Sequence, residues 1–274
     1  IMPDKSDLHW SSASRTHVGM VRKLNEDACL ELAGSGIWAV ADGMGGHAAG
    51  DFASQSVVDV LAAIPKPASL GALVGEVHQR LQAVNQKLSD EAGKRREQLI
   101  GSTVVALLAY GNHAVSVWAG DSRVYRYRQG ELTQLTRDHS QVEELVAQGL
   151  ITPEQAEHHP ASNVITRAVG VANKLELDSD MFEVQEGDVF LLCSDGLYNE
   201  VTEPEIKQSL VVGDCQYSCD LLVDRALARG ARDNVTVVVV RTVDEGQITK
   251  TQLNPSAAAV PGGAQDDDDP TVLK

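Results

Sequence analysis

The sequence predicts an α+β fold in which two mainly antiparallel sheets stack as a sandwich. Strand-like and helix-like segments come in separate blocks along the chain, whereas a parallel sheet would show strict alternation. Two long amphipathic helices are predicted near the front of the chain and two more helices near its end. With one helix pair on each outer face, the expected architecture is a four-layer α-β-β-α sandwich.

The front of the chain predicts strands followed by two long helices. Residues 8–21 alternate loosely and fit two short strands around a turn near Gly19. Two further strands are expected at residues 28–32 and 37–41. Residues 48–64 carry apolar side chains at helical spacing. Ser69 then caps a second helix, whose apolar stripe consists of Leu73, Val77, Leu81, Val84 and Leu88.

The middle of the chain predicts a meander of strands joined by short turns. These strands lie at residues 103–110, 114–119, 124–128 and 132–135. Two short helices follow at residues 140–148 and 153–158, the second with Thr152 as its N-cap. The remaining elements are strands at residues 175–184 and 188–193, helices at residues 203–210 and 216–228, and a last strand at residues 235–240.

Composition and charge limit the function classes that this chain can belong to. The formal net charge of −16 works against general electrostatic binding of nucleic acid or of an anionic membrane. The hydrophobic content of 43% is enough for a sizeable core, while 4% aromatic residues argue against stacking platforms for single-stranded nucleic acid. Because we find no signal peptide, no lipidation motif and no apolar run of about 18 residues, we expect a cytoplasmic protein without membrane attachment.

The ends of the chain lack periodicity. Residues 1–7 are expected to be a disordered start, and residues 245–274 an acidic, Pro/Ala/Gly-rich tail that is also disordered. In the tail, Thr271 follows four aspartates, so it belongs either to a solvated terminus or to a phosphoacceptor site for an acid-directed kinase. The four cysteines are interpreted as reduced core thiols, although the spacing of Cys215 and Cys219 also suits metal binding.

Acidic residues occur where several predicted strands begin or end. Two acidic segments follow strands, Asp42-Gly43 and Asp195-Gly196, and two precede strands, Asn25-Glu26-Asp27 and Arg232-Asp233-Asn234. Asp-Gly is also a common turn dipeptide. Because the end of one antiparallel strand lies beside the start of its neighbour, all four segments can meet at one sheet edge. Clustered carboxylates repel one another unless cations hold them, and oxygen ligands suit Mg²⁺ or Mn²⁺, so a two-metal site is expected there.

Seven motifs occur in the order and spacing of a known family. They are Arg22-x-x-Asn25-Glu26-Asp27, Ala41-Asp42-Gly43-Met44-Gly45-Gly46-His47, Gly101-Ser102-Thr103, Gly120-Asp121-Ser122-Arg123, Asp138-His139-Ser140, Ser194-Asp195-Gly196 and Arg232-Asp233-Asn234. Over residues 10–241 the chain resembles the metal-dependent serine/threonine protein phosphatases of the type 2C (PPM) family, in their compact bacterial form. The resemblance implies an α-β-β-α catalytic domain, here residues 8–244, with a Mn²⁺ or Mg²⁺ pair at one end of the sheets.

The resemblance also implies roles for individual acidic residues. The implied core ligands are Asp42, which would bridge the two metals, Asp195 and Asp233 for the first metal, and the carbonyl of Gly43 for the second. At the Asn-Glu-Asp group, Asp27 is the favoured ligand and Glu26 the alternative. Asp121 matches the carboxylate that, together with Asp195, holds a third and weaker metal, whereas its alternative is a plain turn residue.

Other residues are expected beside the metals. Arg22 matches the family's phosphate-binding arginine, because a planar guanidinium can engage two phosphate oxygens at once; the alternative is a solvated surface arginine. Asn234 and His47 are expected just outside the metal ligands, with a structural role for His47 at a helix start. His139 opens the segment that matches the family's mobile flap (residues 140–163), and its role stays open.

One position departs from the better-known eukaryotic members. These carry a histidine, the proposed acid for the leaving group, directly after Asp-Gly, whereas this chain has Met44 there. The general acid is therefore open between a metal-bound water, for example at the third site, and His47. The implied reaction is direct, in-line hydrolysis of phosphoserine or phosphothreonine in proteins by a bridging, metal-activated water, without a covalent phosphoenzyme.

The implied partners are phosphorylated protein substrates and a cognate bacterial Ser/Thr kinase, and the chain is expected to be a monomer. In some bacteria such a pathway controls type VI secretion. The alternatives are a small-molecule phosphatase on the same scaffold and a non-catalytic phosphoprotein-binding member, although every ligand carboxylate is present. A two-metal phosphodiesterase or nuclease is disfavoured, because histidine ligands and a basic surface are missing. A cysteine phosphatase is disfavoured too, because no cysteine lies in a phosphate-cradling loop.

Overall fold

The computed structural model describes residues 8–45, 49–95, 99–157 and 159–243. Within these residues the chain forms eleven strands and seven α-helices. The strands are β1 His9–His17, β2 Asp27–Leu32, β3 Ile37–Gly45, β4 Ile100–Ser102, β5 Val104–Tyr110, β6 His113–Ala119, β7 Arg123–Arg128, β8 Glu131–Gln134, β9 Asp178–Glu183, β10 Val189–Cys193 and β11 Val235–Val243. The helices are α1 Ala49–Ala62, α2 Leu70–Arg95, α3 Gln141–Ala147, α4 Pro153–Glu157, α5 Asp195–Tyr198, α6 Glu203–Val211 and α7 Cys215–Ala228.

The strands form two antiparallel sheets. The first sheet has the order β1-β11-β10-β7-β8, and the second has the order β2-β3-β5-β6-β9, with β4 paired to β3. Helices α1 and α2 share one buried apolar cluster with the second sheet, and helices α6 and α7 share another with the first. A third cluster joins the two sheets. The predicted α+β, four-layer α-β-β-α sandwich is therefore confirmed.

Side-chain alternation along the central strands builds these three apolar clusters. On β3, Trp38 and Val40 lie in the cluster between the sheets, whereas Ile37, Ala39 and Ala41 lie under α1 and α2. Strand β11 divides in the same way, with Val238 and Val240 between the sheets and Val237 and Val239 under the helices. Successive strand side chains point to opposite faces, so these continuous apolar runs fill two interfaces at once.

Three elements differ from the sequence prediction: β1, the short strand β4, which was not expected, and the short helix α5. The two short strands expected in residues 8–21 were wrong: the structure has one nine-residue strand, β1, followed by a loop. That loop turns at Gly19, whose φ is +81° and where a Cβ atom would lie 2.2 Å from the carbonyl oxygen of Asp233. The chain after Gly19 therefore contacts the segment before β11 instead of forming a second strand. The short helix α5 was not predicted, because Ser194-Asp195-Gly196 indicates only a turn.

Capping and cysteine predictions agree with the structure. Ala72 donates its backbone N–H to Ser69 Oγ (3.1 Å), and Gln155 donates to Thr152 Oγ1 (3.3 Å), so both predicted N-caps are present. All four cysteines are free thiols. The thiol of Cys219 donates to a backbone carbonyl of β1, as does that of Cys215, which identifies both as core residues.

Some predictions fall on residues that the structure does not describe. They concern the expected disordered start at 1–7, His47 at the start of the first helix, and the tail at 245–274 with Thr271. Across the described ranges, no helix combines the length and the apolar character that are needed to cross a bilayer.

Candidate functional site

The predicted acidic residues lie at one end of the two sheets. Asp27 begins β2 and is the register partner of Asp42 on β3. Asp195 begins α5 directly after β10, and Asp233 precedes β11, which pairs with β10. Asp121 precedes β7, the other neighbour of β10. Antiparallel pairing thus places Asp27 and Asp42 at one end of the second sheet and the other three carboxylates at an end of the first. The stacking of the two sheets, and not one sheet edge as the sequence predicts, brings the two groups together.

Asp27 joins the two sheets. Its Oδ2 accepts hydrogen bonds from Ser194 Oγ (2.8 Å) and Thr236 Oγ1 (2.7 Å), both on the first sheet's side of the site. Its Oδ1 is buried and has no hydrogen-bond partner among the described residues. Ser194 and Thr236 are functional residues that sequence reasoning missed. The only sequence signal was the adjacency of Ser194 to Asp195.

The backbone of Asp42 is held by the segment between β4 and β5. Asp42 donates its N–H to Thr103 Oγ1 (3.0 Å), and Thr103 donates its own N–H to the Asp42 carbonyl oxygen (2.8 Å). The Ser102 hydroxyl donates to the same carbonyl oxygen at 3.0 Å. The Gly-Ser-Thr motif therefore positions Asp42, a role that the sequence analysis did not assign.

Glycines allow the chain to approach closely beside Asp42. The N–H of Gly43 donates to the Glu26 carbonyl oxygen (3.0 Å), and a Cβ at Gly43 would lie 2.0 Å from the carbonyl oxygen of Gly50. The Glu26 carboxylate accepts a hydrogen bond from the Gly50 backbone, near the start of α1. Glu26 is thus engaged at the helix start, whereas Asp27 Oδ1 has no partner within the described ranges.

The carboxylates strongly affect one another's ionisation. Burial, followed by repulsion from neighbouring carboxylates, raises the pKa of Asp27 to about 7 and that of Asp195 to about 6. The same causes, in the same order, raise the pKa of Asp121 to about 7 and that of Asp42 well above its usual range. At neutral pH this edge holds protons or cations more readily than isolated aspartates do.

Arg22 lies among these carboxylates. Its Nη2 donates to Asp233 Oδ2 at 2.7 Å, and 53% of its side chain is exposed. This hydrogen bond, followed by the charge of Asp233, raises the pKa of Arg22 above its ordinary value. An ion pair with this exposure contributes little to stability, so Asp233 and the guanidinium are free to exchange partners at low cost.

Asn234 fixes the loop that contains Arg22. The buried side chain donates from Nδ2 to the carbonyl oxygens of Val18 and Leu24, both at 2.9 Å. Its Oδ1 accepts the N–H of Glu26 at 2.8 Å. Asn234 therefore lies just outside the carboxylates, where the sequence placed it, and it connects the start of β11 to both ends of the arginine loop.

Asp121 lies in a turn that is held from several sides. The Tyr198 hydroxyl donates to the Asp121 carbonyl oxygen (3.0 Å), and Arg123 stacks 3.6 Å from the centre of the Tyr198 ring. Gly120 exchanges two hydrogen bonds with His139, through its own N–H to Nδ1 and its carbonyl oxygen to the His139 N–H. The Asp121 side chain is 8% exposed, whereas a plain turn aspartate is normally solvated.

His139 connects this turn to Asp178, the first residue of β9. Its ring stacks on Trp118 at 6.0 Å, and its Nε2 lies 3.2 Å from Asp178 Oδ2. Arg167 donates to the other oxygen of Asp178 at 2.8 Å. Burial is the main cause that lowers the pKa of His139. This geometry gives His139 a structural place between the turn at Gly120 and the start of β9.

The donor set fits a divalent metal. All the converging side chains are carboxylates, and Asp27 Oδ1 and Asp195 Oδ1 are buried without a partner among the described residues. Hard oxygen donors of this kind suit Mg²⁺ or Mn²⁺. As these residues stand in the described part of the chain, no three acidic, histidine or cysteine side chains form one complete ligand group.

A separate cavity lies at the opposite end of the sandwich. It has a volume of about 370 Å³ and is lined by residues such as Trp10, Gly36 and Tyr110. Among the described residues, its lining contains no carboxylate side chain.

Comparisons with known proteins identify the family. The Protein phosphatase 2C family model matches residues 15–219. The serine/threonine protein phosphatase PstP of Mycobacterium tuberculosis (strain H37Rv) is 40% identical over 233 residues, which are 85% of this chain but only 45% of PstP. The chain therefore spans less than half the length of that relative.

Two solved structures are similar over nearly their whole length. One is PppA, described as a key regulatory component of T6SS in Pseudomonas aeruginosa, with 49% identity, a TM-score of 0.81, and coverage of 86% of this chain and 99% of that chain. The other is the catalytic domain of PstP in complex with two manganese ions, with 38% identity, a TM-score of 0.78, and coverage of 86% and 100%. Together with the family match, these likenesses show that the chain belongs to the protein phosphatase 2C family.

Proposed function

We propose that this protein hydrolyses phosphoserine and phosphothreonine in proteins, using Mn²⁺ or Mg²⁺. The observation that supports this most is that five carboxylates and an exposed arginine lie at the same end of the two sheets, in a member of the protein phosphatase 2C family. In the proposed site Asp42 would contact both core metals, and Asp195 and Asp233 would hold the first. The Gly43 carbonyl would help to hold the second, and at the Asn-Glu-Asp group Asp27 is the favoured ligand and Glu26 the alternative. Asp121 and Asp195 would hold a third, weaker metal.

The bound metals would supply Lewis-acid stabilisation of the phosphate and lower the pKa of the attacking, bridging water. The chain's own groups orient the reactants. Arg22 exchanges Asp233 for the substrate phosphate and engages two of its oxygens, which holds phosphorus in line for attack. Thr103, Ser194 and Thr236 fix the positions of Asp42 and Asp27 through the hydrogen bonds described above.

The source of the leaving-group proton is part of the proposal. Met44, directly after Asp42-Gly43, has no proton to give, and His139 is engaged by Gly120 and Asp178. We therefore assign proton donation to a water molecule beside Asp121, where the third, weaker metal would bind. His47 was the other candidate from the sequence, and it lies outside the described residues.

The proposed physiological substrates are proteins that a cognate bacterial Ser/Thr kinase phosphorylates, and the proposed solution state is a monomer. The 49% identity to PppA supports a role in the control of type VI secretion, the system that PppA is described as regulating. The likeness to PppA covers 86% of this chain and omits the rest.

The experiment compares a phosphothreonine peptide with a set of sugar phosphates, each with Mn²⁺ and with chelator. Preferential, Mn²⁺-dependent hydrolysis of the peptide is the expected result. Preference for a sugar phosphate would instead establish a small-molecule phosphatase on this scaffold. Tight binding of the phosphopeptide without turnover would establish a non-catalytic member of the family.

A further inference from the structure

The loop between β1 and β2 exposes large apolar side chains on both sides of Arg22. Met20 is 63% exposed, Val21 65% and Leu24 55%, so three such side chains lie within five residues. Single exposed apolar side chains are ordinary on protein surfaces, but a concentration of them beside a binding group indicates a contact surface.

The backbone of this loop is fixed. Met20 donates its N–H to the Ala231 carbonyl oxygen at 2.8 Å, and the Asn234 side chain holds the carbonyl oxygens of Val18 and Leu24. Close contact with Asp233 requires glycine at position 19. The apolar side chains are therefore exposed on a backbone that hydrogen bonds hold in place, which lowers the entropic cost of binding a partner there.

The position of the loop indicates what binds to it. Arg22 lies between Val21 and Leu24 and reaches Asp233 at the carboxylate edge. A phosphate bound by Arg22 places the residues before and after the phosphorylated one next to the same loop, because neighbouring residues of an extended chain are about 3.3 Å apart. Lys23, the next residue, is exposed on the same loop and adds to its positive charge.

We propose that Met20, Val21 and Leu24 form an apolar rim that contacts the side chains flanking the phosphorylated Ser or Thr. The rim rests on the proposed protein phosphatase function and gives it a substrate class: phosphopeptides with large apolar residues next to the phosphorylated position. Peptides with small polar neighbours leave the rim exposed to water and bind less tightly.

The test uses three substrates with Mn²⁺ and the full chain. They are a phosphothreonine peptide with Leu and Phe neighbours, the same peptide with Ser and Gly neighbours, and N-acetyl-phosphothreonine methylamide, which has no neighbouring side chain. For wild type we expect a KM about tenfold lower for the apolar peptide than for the polar one. Met20→Ala or Leu24→Ala should raise the KM of the apolar peptide about fivefold and change the other two substrates less than twofold.

The matched control is Met181→Ala on strand β9, where the methionine is 66% exposed and away from the arginine loop. It should leave the three KM values unchanged. Hydrolysis of both peptides with equal KM in the wild type would overturn the rim while leaving the phosphatase function intact. An equal loss on all three substrates in Met20→Ala would overturn it too, since the loop would then act only by positioning Arg22.

Two further outcomes would overturn the proposal by other routes. A sedimentation shift from dimer to monomer in Met20→Ala would assign the loop to contact between copies of the chain. No hydrolysis of any of the three substrates with Mn²⁺ would remove the protein phosphatase function itself, and the rim with it.

Discussion

At the scale of single residues, Asp27 and Arg22 each use one contact to fix the side chain and leave other atoms available for a ligand. One carboxylate oxygen of Asp27 accepts hydrogen bonds from Ser194 and Thr236, and the other is buried with no partner in the described part of the chain. Arg22 likewise uses its ion pair with Asp233 while most of its side chain faces solvent. Each residue is thus positioned by one contact and available through another.

Asp42→Asn and Asp195→Asn test the central carboxylates. Each should lower kcat on a phosphothreonine peptide by at least ~10³-fold, as loss of a central electrostatic group does in other enzymes. Each should also raise the Tm of the chelated protein, because one buried carboxylate fewer repels its neighbours. Thermal unfolding in EDTA and steady-state kinetics with Mn²⁺ measure the two effects. A kcat close to wild type would remove these residues from the reaction.

Arg22 and Asp121 should affect different kinetic constants. Arg22→Ala should raise KM about tenfold or more with a smaller effect on kcat, since the arginine binds ground state and transition state alike. Arg22→Lys keeps the charge but loses the paired donors, so its KM should lie between those of the wild type and Arg22→Ala.

Asp121→Ala should lower kcat instead. Wild-type kcat in Asp121→Ala would reduce Asp121 to a turn residue.

At the scale of elements, the loop of residues 18–24 is held by the side chain of Asn234, which directly precedes β11, the neighbour of β1 in the first sheet. Asn234 makes three hydrogen bonds, two to loop carbonyls and one from the Glu26 N–H. The loop therefore depends on the start of β11 for its geometry, although the two are more than 200 residues apart in the sequence.

Asn234→Ala should disconnect this loop. Loss of three partly buried hydrogen bonds should lower the free energy of unfolding by about 2–4 kcal/mol. The KM for phosphopeptides should rise as well, because the loop that positions Arg22 loses its hydrogen bonds to Asn234. Asn234→Asp is the matched variant, since it keeps the acceptor for Glu26 but loses both donors. Urea unfolding with Mn²⁺ kinetics measures both effects, and a normal KM in Asn234→Ala would show that the loop is held without Asn234.

The sequence was sufficient for the elements with clear periodicity and for the acidic residues at strand ends. It predicted β2, β3 and the buried apolar side chains of α2. It also predicted that Asp42, Asp195 and Asp233 lie together, which they do at one end of the two sheets. It failed for β1, because a loose alternation over residues 8–21 does not show that the chain turns away at Gly19. It also missed Ser194, Thr236 and Tyr198, since their hydrogen bonds depend on which strands become neighbours in space.

At the scale of the whole molecule, the carboxylate edge lowers the stability of a metal-free chain at neutral pH. An unfolded aspartate has a pKa of about 3.9. In the folded protein, burial and repulsion raise the pKa of Asp27 to about 7 and that of Asp195 to about 6. A raised folded pKa stabilises the fold fully below about pH 4, and this contribution is lost as pH rises through 6–7.

In EDTA, the Tm of the wild type should therefore fall more between pH 5 and pH 7.5 than the Tm of Asp195→Asn. The variant has lost one of the titrating groups, so the comparison separates this edge from the other ionisable residues. Mn²⁺ should abolish most of the difference at pH 7.5, because bound cations stabilise the folded state. An identical pH dependence in wild type and variant would contradict the assigned electrostatics.

The most direct test of the central claim is the metal dependence of phosphothreonine peptide hydrolysis. The protein is treated with EDTA, gel-filtered, and assayed with no added metal, with Mn²⁺ and with Ca²⁺. We predict that activity vanishes with chelator and returns with Mn²⁺ far better than with Ca²⁺, which prefers longer bonds and looser geometry. Full activity of the chelated, gel-filtered protein would contradict a two-metal site at the carboxylate edge.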